Sequence, residues 1–467
     1  QNSEFVMNKN HLGSSFLFVF AIALFFTLLS TVDYDRISVP FSFKPINFLS
    51  DILSDKESET DVLLAENQAA ENNIPTDSIA DINNSCPPGV KCIENFSGNQ
   101  FPLERFFDKL NAAKRGETQV RIAWYGDSFT DADLLVSDLR DTLQSIYGGN
   151  GVGFVPITHE AAAFRKTIKH SFGGWKTSSI ITNPKSNFLG INGHAYRPDS
   201  ANYLQFGSSR NYKHTRKFDV FRLFYSSSYD AEARISLNDS VRETVNLLRS
   251  PRPGMISFDH GHINKVKLSF PDSDEIVLYG ASLEDSTGIY IDNFSIKGNS
   301  GIGLLAIPDR NLACFDSLLS YDLIVLQFGL NALTAETRNF DSYTKGMNSV
   351  IAKFRRNFPG TPILVMSVSD RSERRQGEYL TMQSIKGMVN AQMQIARDNK
   401  TLFWNLFEAM GGENSMAKFV AAKPPLANKD YTHLNFEGGK QLGLILARSI
   451  IHEEKKYTER RRDIVAN

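Results

Sequence analysis

The run from Tyr321 to Phe328, YDLIVLQF, constrains this chain more than any other stretch. It is apolar almost throughout, as a strand covered on both faces must be; a strand with one wet face alternates instead. Gly329-Leu330-Asn331-Ala332 follows, so an amide side chain projects where the strand ends. Three shorter runs read the same way: Arg121 to Tyr125 (RIAWY), Pro362 to Val368 and Leu402 to Leu406. Between them lies helical spacing, first over Leu135, Leu139, Leu143, Ile146 and Tyr147. It returns from Phe340 to Phe358 and again from about Tyr379 to Asn399. Strand alternating with helix predicts an α/β fold built on a parallel sheet, with sites at the carboxyl ends of the strands.

The first of these junctions reads WYGDSFTD, Trp124 to Asp131. Thr130 or Asp131 can cap the helix that follows, which leaves Ser128 in the strand-to-helix turn, where free N–H groups favour developing negative charge. The elbow G-x-S-x-G is absent, since Thr130 occupies its last glycine position. Near the other end stands Asp430-Tyr431-Thr432-His433. A carboxylate three residues before a histidine can hold the ring's tautomer and leave its other nitrogen as a base. Singly, G-D-S and D-x-x-H are common, and the second is more often a surface loop.

Taken together, Ser128, Gly298, Asn331 and the pair Asp430/His433 occur in the order of the four blocks of the SGNH (GDSL) hydrolases, and the chain resembles that family. DADLLVSDLRDTLQSIYGGNGVGFVP, GASLEDSTGIYIDNFSIKGNSG, LIVLQFGLNAL and LFWNLFEAMGGENSM are similar to its peptidoglycan O-acetylesterase branch. The resemblance implies an SGNH-type, flavodoxin-like three-layer sandwich over residues 101–165 and 287–452. It implies Ser128 as nucleophile, His433 as base and Asp430 as the residue orienting that base. The oxyanion donors it implies are the N–H groups of Ser128 and Gly298 and the amide of Asn331. The chemistry needs these types independently, because a hydroxyl requires a base to become nucleophilic and an oxyanion requires donors already in place. Two positions depart from the pattern. Ala332 follows Asn331 where the common block has aspartate, and Phe129 stands where the branch often has histidine, which bears on acceptor preference or leaving-group handling.

The resemblance implies a serine esterase removing O-acetyl groups from a cell-envelope or extracellular polysaccharide, peptidoglycan foremost, with no cofactor and no metal. Acetyl transfer to a sugar hydroxyl and non-catalytic glycan binding are the alternative readings. A formal net charge of −1 over 467 residues gives no basic footprint for nucleic acid.

Between residues 166 and 286 the character shifts to β-rich pieces such as Phe218 to Ser226, Ala233 to Leu237 and Lys265 to Phe270, separated by turn residues. This segment is expected to be an inserted β-sandwich, carbohydrate-binding-module-like by the same resemblance. Trp175, Tyr203 and Tyr212 could stack on sugar, although aromatics in a sandwich are more often core. His260-Gly261-His262 raises a metal site against the blander reading of a polar turn, and Gly301-Ile302-Gly303 with Ala306 imitates a dinucleotide fingerprint without its setting.

At the N-terminus, residues 1–15 read as a tag remnant and a short tail. The uncharged run 16–32, FLFVFAIALFFTLLSTV, is expected to be a membrane anchor or signal, since spanning a bilayer takes ~20 apolar residues. An acidic, polar linker over 33–100 follows, so the catalytic part is expected outside the cytoplasm, periplasmic and tethered to the inner membrane. Cys86 and Cys92 can close a small disulfide loop, and Cys314 is expected to be a buried apolar side chain. The charged run 453–467 is expected to be a solvated helix end.

Overall fold

The computed structural model describes residues 86–271 and 275–466. The expected anchor at 16–32 and the part of the expected 33–100 linker before residue 86 lie outside them; its remainder is not a linker, since Cys86–Cys92 closes a disulfide loop and Glu94–Asn95 joins the core sheet. Among the described residues no helix is long and apolar enough to cross a membrane.

The chain opens with an edge strand β1 (Glu94–Asn95), helix α1 (Glu104–Lys114), strand β2 (Gln119–Gly126) and helix α2 (Val136–Tyr147). A β-rich stretch follows: β3 (Gly153–Val155), β4 (Ile168–Ser179), β5 (His194–Ser208), β6 (Phe218–Ser227) and β7 (Ala231–Leu237). It continues through β8 (Val241–Leu247), β9 (Ser250–Ile263), β10 (Lys265–Ser269) and β11 (Ile276–Glu284). Alternation then resumes with β12 (Gly288–Ser295), α3 (Asp309–Leu319), β13 (Leu323–Gln327), α4 (Asp341–Asn357) and β14 (Ile363–Met366). A hairpin of β15 (Ser372–Arg375) and β16 (Glu378–Thr381) precedes α5 (Ile385–Asp398) and β17 (Leu402–Trp404). Short helices α6 (Leu406–Ala409) and α7 (Ser415–Ala421) lead to the long α8 (Phe436–Ala466).

The core sheet has the order β1-β17-β14-β13-β2-β12, with β1 antiparallel at one edge and the other five strands parallel. Numbered along the chain, those five read 2-1-3-4-5, the flavodoxin-like order. The predicted run is its centre: all of Leu323–Gln327 is buried. Helices α1, α2 and α8 pack with one another, and α4 packs against both α3 and α5. A polar pair in the middle of the sheet is satisfied, as Trp124 Nε1 on β2 donates to Gln327 Oε1 on β13 at 3.2 Å.

The β-rich stretch is antiparallel and has its own core, including Phe206, Phe221, Leu223, Val266 and Leu278. Its strands belong to one hydrogen-bonded sheet, β8-β7-β10-β5-β11-β6-β9, with β3 paired to β11 and β4 to β5. It docks on the α/β core where Phe224 and Tyr279 meet Phe315 of α3.

Two buried charge clusters tie the parts together. Arg121 on β2 pairs with Asp292 on β12 (2.8 Å) and with Glu284 on β11, and Glu284 also takes Arg222 of β6 at 2.8 Å. Burial pulls the Arg121 guanidinium down, but the two carboxylates outweigh it and hold its pKa above the usual arginine value. In the second cluster, Asp133 Oδ2 meets Arg165 at 2.8 Å and Arg140 at 3.1 Å, and accepts the Thr167 hydroxyl at 2.6 Å. Asp133 Oδ1 takes the amide of Asn293 at 2.9 Å. Burial alone would push the Asp133 carboxyl up; Arg165 and Arg140 reverse this and hold it far below the usual range.

The structure departs from the sequence reading at several points. The helix after Ser128 begins only at Val136, because Ala132 (φ 54°) and Asp133 (φ 65°) are left-handed and break the path. Asp127, rather than Thr130 or Asp131, caps the first turn. Residues 379–381 are not helical: Gln376 (φ 52°) and Gly377 (φ 90°) form a two-residue hairpin turn that pairs them with Ser372–Glu373 and Arg374. The charged run after residue 452 continues α8, and Tyr457 is buried against Phe107 and Phe101 of the α1 region. Cys86 and Cys92 are disulfide-bonded, whereas Cys314 is only partly buried. His260 and His262 are exposed within β9 rather than in a turn before β10, and they join no group of three metal-ligating side chains among the described residues.

Asp133→Asn keeps the shape and the left-handed backbone but leaves two guanidiniums facing no anion in a buried site. It should cost about 3–5 kcal/mol of stability in urea unfolding. Glu413→Gln, which removes the exposed 2.5 Å pair with Lys386, should cost at most about 1 kcal/mol. Equal losses for the two variants would show that burial of the cluster carries no special weight.

Candidate active site

Strand β2 ends at Gly126, and the next residues must turn away from the sheet. Asp127 is buried and extended, and its Oδ1 accepts the Phe129 N–H at 3.0 Å, starting a 3-10 turn over Ser128–Asp133. Phe129 is fully buried, so the turn is pinned from below and Ser128 is left at the sheet edge. Asn293 on the neighbouring β12 holds the turn further along, its amide donating to the Thr130 carbonyl at 2.8 Å. Phe129, which departs from the family pattern, is buried and packs the loop.

His433 arrives from the loop before α8. That loop is closed by Asn428 N–H to the His433 carbonyl (2.9 Å) and by the Asn435 side chain, which accepts Gly438 N–H at 3.1 Å and starts the helix. His433 Nδ1 lies 2.7 Å from Asp430 Oδ2, and Asp430 Oδ1 accepts the N–H groups of Thr432 (2.9 Å) and His433 (3.0 Å). The carboxylate places the proton on Nδ1 and leaves Nε2, 3.0 Å from Ser128 Oγ, to accept the hydroxyl. The hydrogen bond to Asp430 raises the His433 pKa above its ordinary value, against partial burial. Partial burial pushes Asp430 up, but the His433 hydrogen bond and the two N–H groups bring it down to about 2.

Asn331 lies in a 3-10 turn (Leu330–Ala332) directly after β13, so the predicted amide does stand at the strand end. It donates to Asp127 Oδ2 and to the Asn299 carbonyl, each at 3.2 Å. Gly298 sits in the turn after β12 with φ 75°, a conformation that disfavours any side chain, and it is exposed. Among the described residues nothing accepts from the backbone N–H of Ser128 or of Gly298. Ser128, Gly298 and Asn331 therefore follow three adjacent strands, β2, β12 and β13, at their carboxyl ends. The structure brings Ser128, His433 and Asp430 into one hydrogen-bonded relay, and links Asn331 to the residue before Ser128 and to the one after Gly298.

Sequence reasoning assigned no role to Asp127, although it stands in the quoted G-D-S. Burial raises its carboxyl to about 6, opposed by the Phe129 N–H, His433 and Asn331. It both shapes the serine turn and orients the Asn331 amide. Of the aromatics considered for sugar stacking, Trp175 is partly buried against Phe270 and Tyr212 donates to Asp138 at 3.0 Å, while Tyr203 is 48% exposed.

The strand order, with the relay at its carboxyl edge, is similar to that of solved esterase structures, which supports at the level of the fold the resemblance to the SGNH hydrolases seen in four sequence blocks. In particular the chain is similar to a peptidoglycan O-acetylesterase structure, with a TM-score of 0.65 and 19% identity over 78% of this chain and 99% of that one. An acetyl xylan esterase aligns at 19% identity over 35% of this chain and 81% of its own, TM-score 0.27. A family two carbohydrate esterase from Cellvibrio japonicus aligns at 6% identity over 61% and 99%, TM-score 0.25. Neither a protein-family model nor a curated protein matches the sequence.

The relay makes a prediction independent of any substrate. In an NMR titration, His433 of the wild type should protonate at higher pH than an ordinary histidine. Asp430→Asn removes the dominant cause of that elevation, so the titration should move to lower pH. A His433 titration unchanged by Asp430→Asn would break the assigned pairing.

Proposed function

We propose that the protein is a serine esterase that removes O-acetyl groups from a cell-envelope or extracellular polysaccharide, with peptidoglycan the first substrate to try. The observation that carries this reading is the relay Asp430–His433–Ser128, with two unpartnered N–H groups and an amide at the same sheet edge. In this reading Ser128 Oγ attacks the acetyl carbonyl while its proton passes to His433 Nε2. Negative charge on the carbonyl oxygen is received by the N–H groups of Ser128 and Gly298 and by Asn331. The bond to the sugar oxygen breaks, that oxygen takes the proton from His433, and an acetyl-Ser128 ester remains. Water, deprotonated by His433, attacks this ester, and acetate leaves as Ser128 recovers its proton. Asp430 remains ionised throughout and keeps the ring oriented.

We read the β-rich insert as a carbohydrate-binding-module-like domain of sandwich type, on resemblance. The protein is read as exported, periplasmic and held at the inner membrane by residues 16–32, on the composition of that run.

Hydrolysis of p-nitrophenyl acetate and acetate release from O-acetylated peptidoglycan test the reading. Ser128→Ala and His433→Ala should each lower kcat by about 10⁴–10⁶-fold, and Asn331→Ala by about 10²–10³-fold. Because His433 must be neutral to accept the proton, kcat/KM should fall as the pH drops through its raised pKa. Rates equal to wild type in Ser128→Ala and His433→Ala would sink the proposal.

A further inference from the structure

One cation beside the His433 loop has no part in the reaction as described. Arg371 lies between β14 and β15, and its backbone is fixed from three directions. Its carbonyl accepts Met382 N–H at 2.8 Å, the preceding Asp370 carboxylate accepts Met416 N–H at 2.8 Å, and the following Ser372 N–H donates to the Tyr431 carbonyl at 3.0 Å. That last bond joins the segment directly to the loop holding Asp430 and His433. Tyr431 is left-handed (φ 55°), and its ring lies flat on Tyr379 of the hairpin, with centroids 3.5 Å apart and planes 5° from parallel. The rim beside the relay thus carries a stacked tyrosine pair, with Arg371 on the segment bonded to it.

The Arg371 side chain is partly buried, yet it makes no hydrogen bond or ion pair among the described residues. The buried arginines of the core behave differently, since Arg121, Arg140 and Arg165 are all neutralised by carboxylates. In the same hairpin, Arg375 is held by Glu373 at 3.3 Å and by the Thr381 carbonyl at 2.8 Å. The charge of Arg371 also reaches the His433 ring, whose pKa it lowers against the effect of Asp430. A partly buried, unpaired guanidinium on a segment bonded to the His433 loop suits an anion brought by the ligand, and its planar fork matches a carboxylate in two-point contact.

We propose that Arg371 binds a carboxylate on or next to the acetylated sugar, so that the preferred substrates are acetyl esters of acidic glycans. This deepens the esterase reading and rests on it. Two sources share the chemistry, a uronic acid and the lactyl or peptide carboxylate of a muramoyl unit, and paired probes separate them. The first pair is mono-O-acetylated galacturonic acid and its methyl ester; the second is O-acetylated muramic acid and its methyl ester.

For at least one pair the wild type should favour the free acid in kcat/KM, and the favoured pair names the source. Arg371→Gln should lower kcat/KM for that acid about 10- to 100-fold, chiefly through KM, and bring the acid-to-ester ratio near one. Arg371→Lys, which retains the charge without the fork, should restore part of the preference. A wild-type ratio of one or less on both pairs would overturn the inference. So would an equal loss on acid and ester in Arg371→Gln, which would assign Arg371 to the packing of the His433 loop. Wild-type hydrolysis of p-nitrophenyl acetate distinguishes the levels: if it persists while the acid preference is absent, only this inference fails, and if it too is absent, the esterase reading falls and takes this one with it.

Discussion

The carboxylate of Asp133, held between two buried guanidiniums, is the interaction on which the arrangement of this molecule depends. It sits at the far end of the serine turn, on a left-handed backbone that no local preference would choose. Arg140 comes from α2 and also grips the Ile291 carbonyl of β12 at 2.8 Å; Arg165 and Thr167 come from the start of the β-rich insert. One charge therefore fixes a helix, a neighbouring strand and the insert's entry relative to Ser128. Such a cluster is weak evidence of net stability, since well-packed apolar residues often do as well. What it supplies is position: the turn has one arrangement in which every buried charge is paired.

From that constraint the rest of the site follows by adjacency. Strands β12, β2 and β13 are neighbours, so the turns that follow them meet at one edge without any long excursion. The histidine is the exception. It comes from a loop more than three hundred residues along the chain from Ser128 and is placed by its own internal hydrogen bonds and by the start of α8. The hairpin β15–β16 completes that placement from outside, through one backbone hydrogen bond and one ring stack.

The α/β core was legible because buried parallel strands leave an unambiguous trace: RIAWY and YDLIVLQF have no wet face to alternate with. The residues of the relay were legible because their types and order are rare in combination, even though each short motif is common. The hairpin at 372–381 was not, since four-residue strands carry little periodicity and Tyr379 and Leu380 run without a break into a helical pattern. The role of Asp127 escaped because its importance lies in partners that only folding supplies, Asn331 and the Phe129 N–H. The burial of Phe129 was not legible for the related reason that its neighbours in sequence do not tell which way it points. The charged end of the C-terminal helix looked solvated because its charges outnumber Tyr457, which docks it.

The cluster around Arg121 carries a different implication. Arg121 and Asp292 belong to the parallel sheet, whereas Glu284 and Arg222 belong to the antiparallel one, yet all four share one buried network. The insert is continuous in sequence and looks like a cassette, but electrostatically it is not separable. Cutting it out would strip Glu284 from Arg121 and leave the Arg121–Asp292 pair uncovered on the flank of the catalytic sheet. The folding unit is therefore larger than either architectural part. In evolution or in the laboratory, a replacement β domain would have to offer Arg121 a carboxylate where Glu284 now stands.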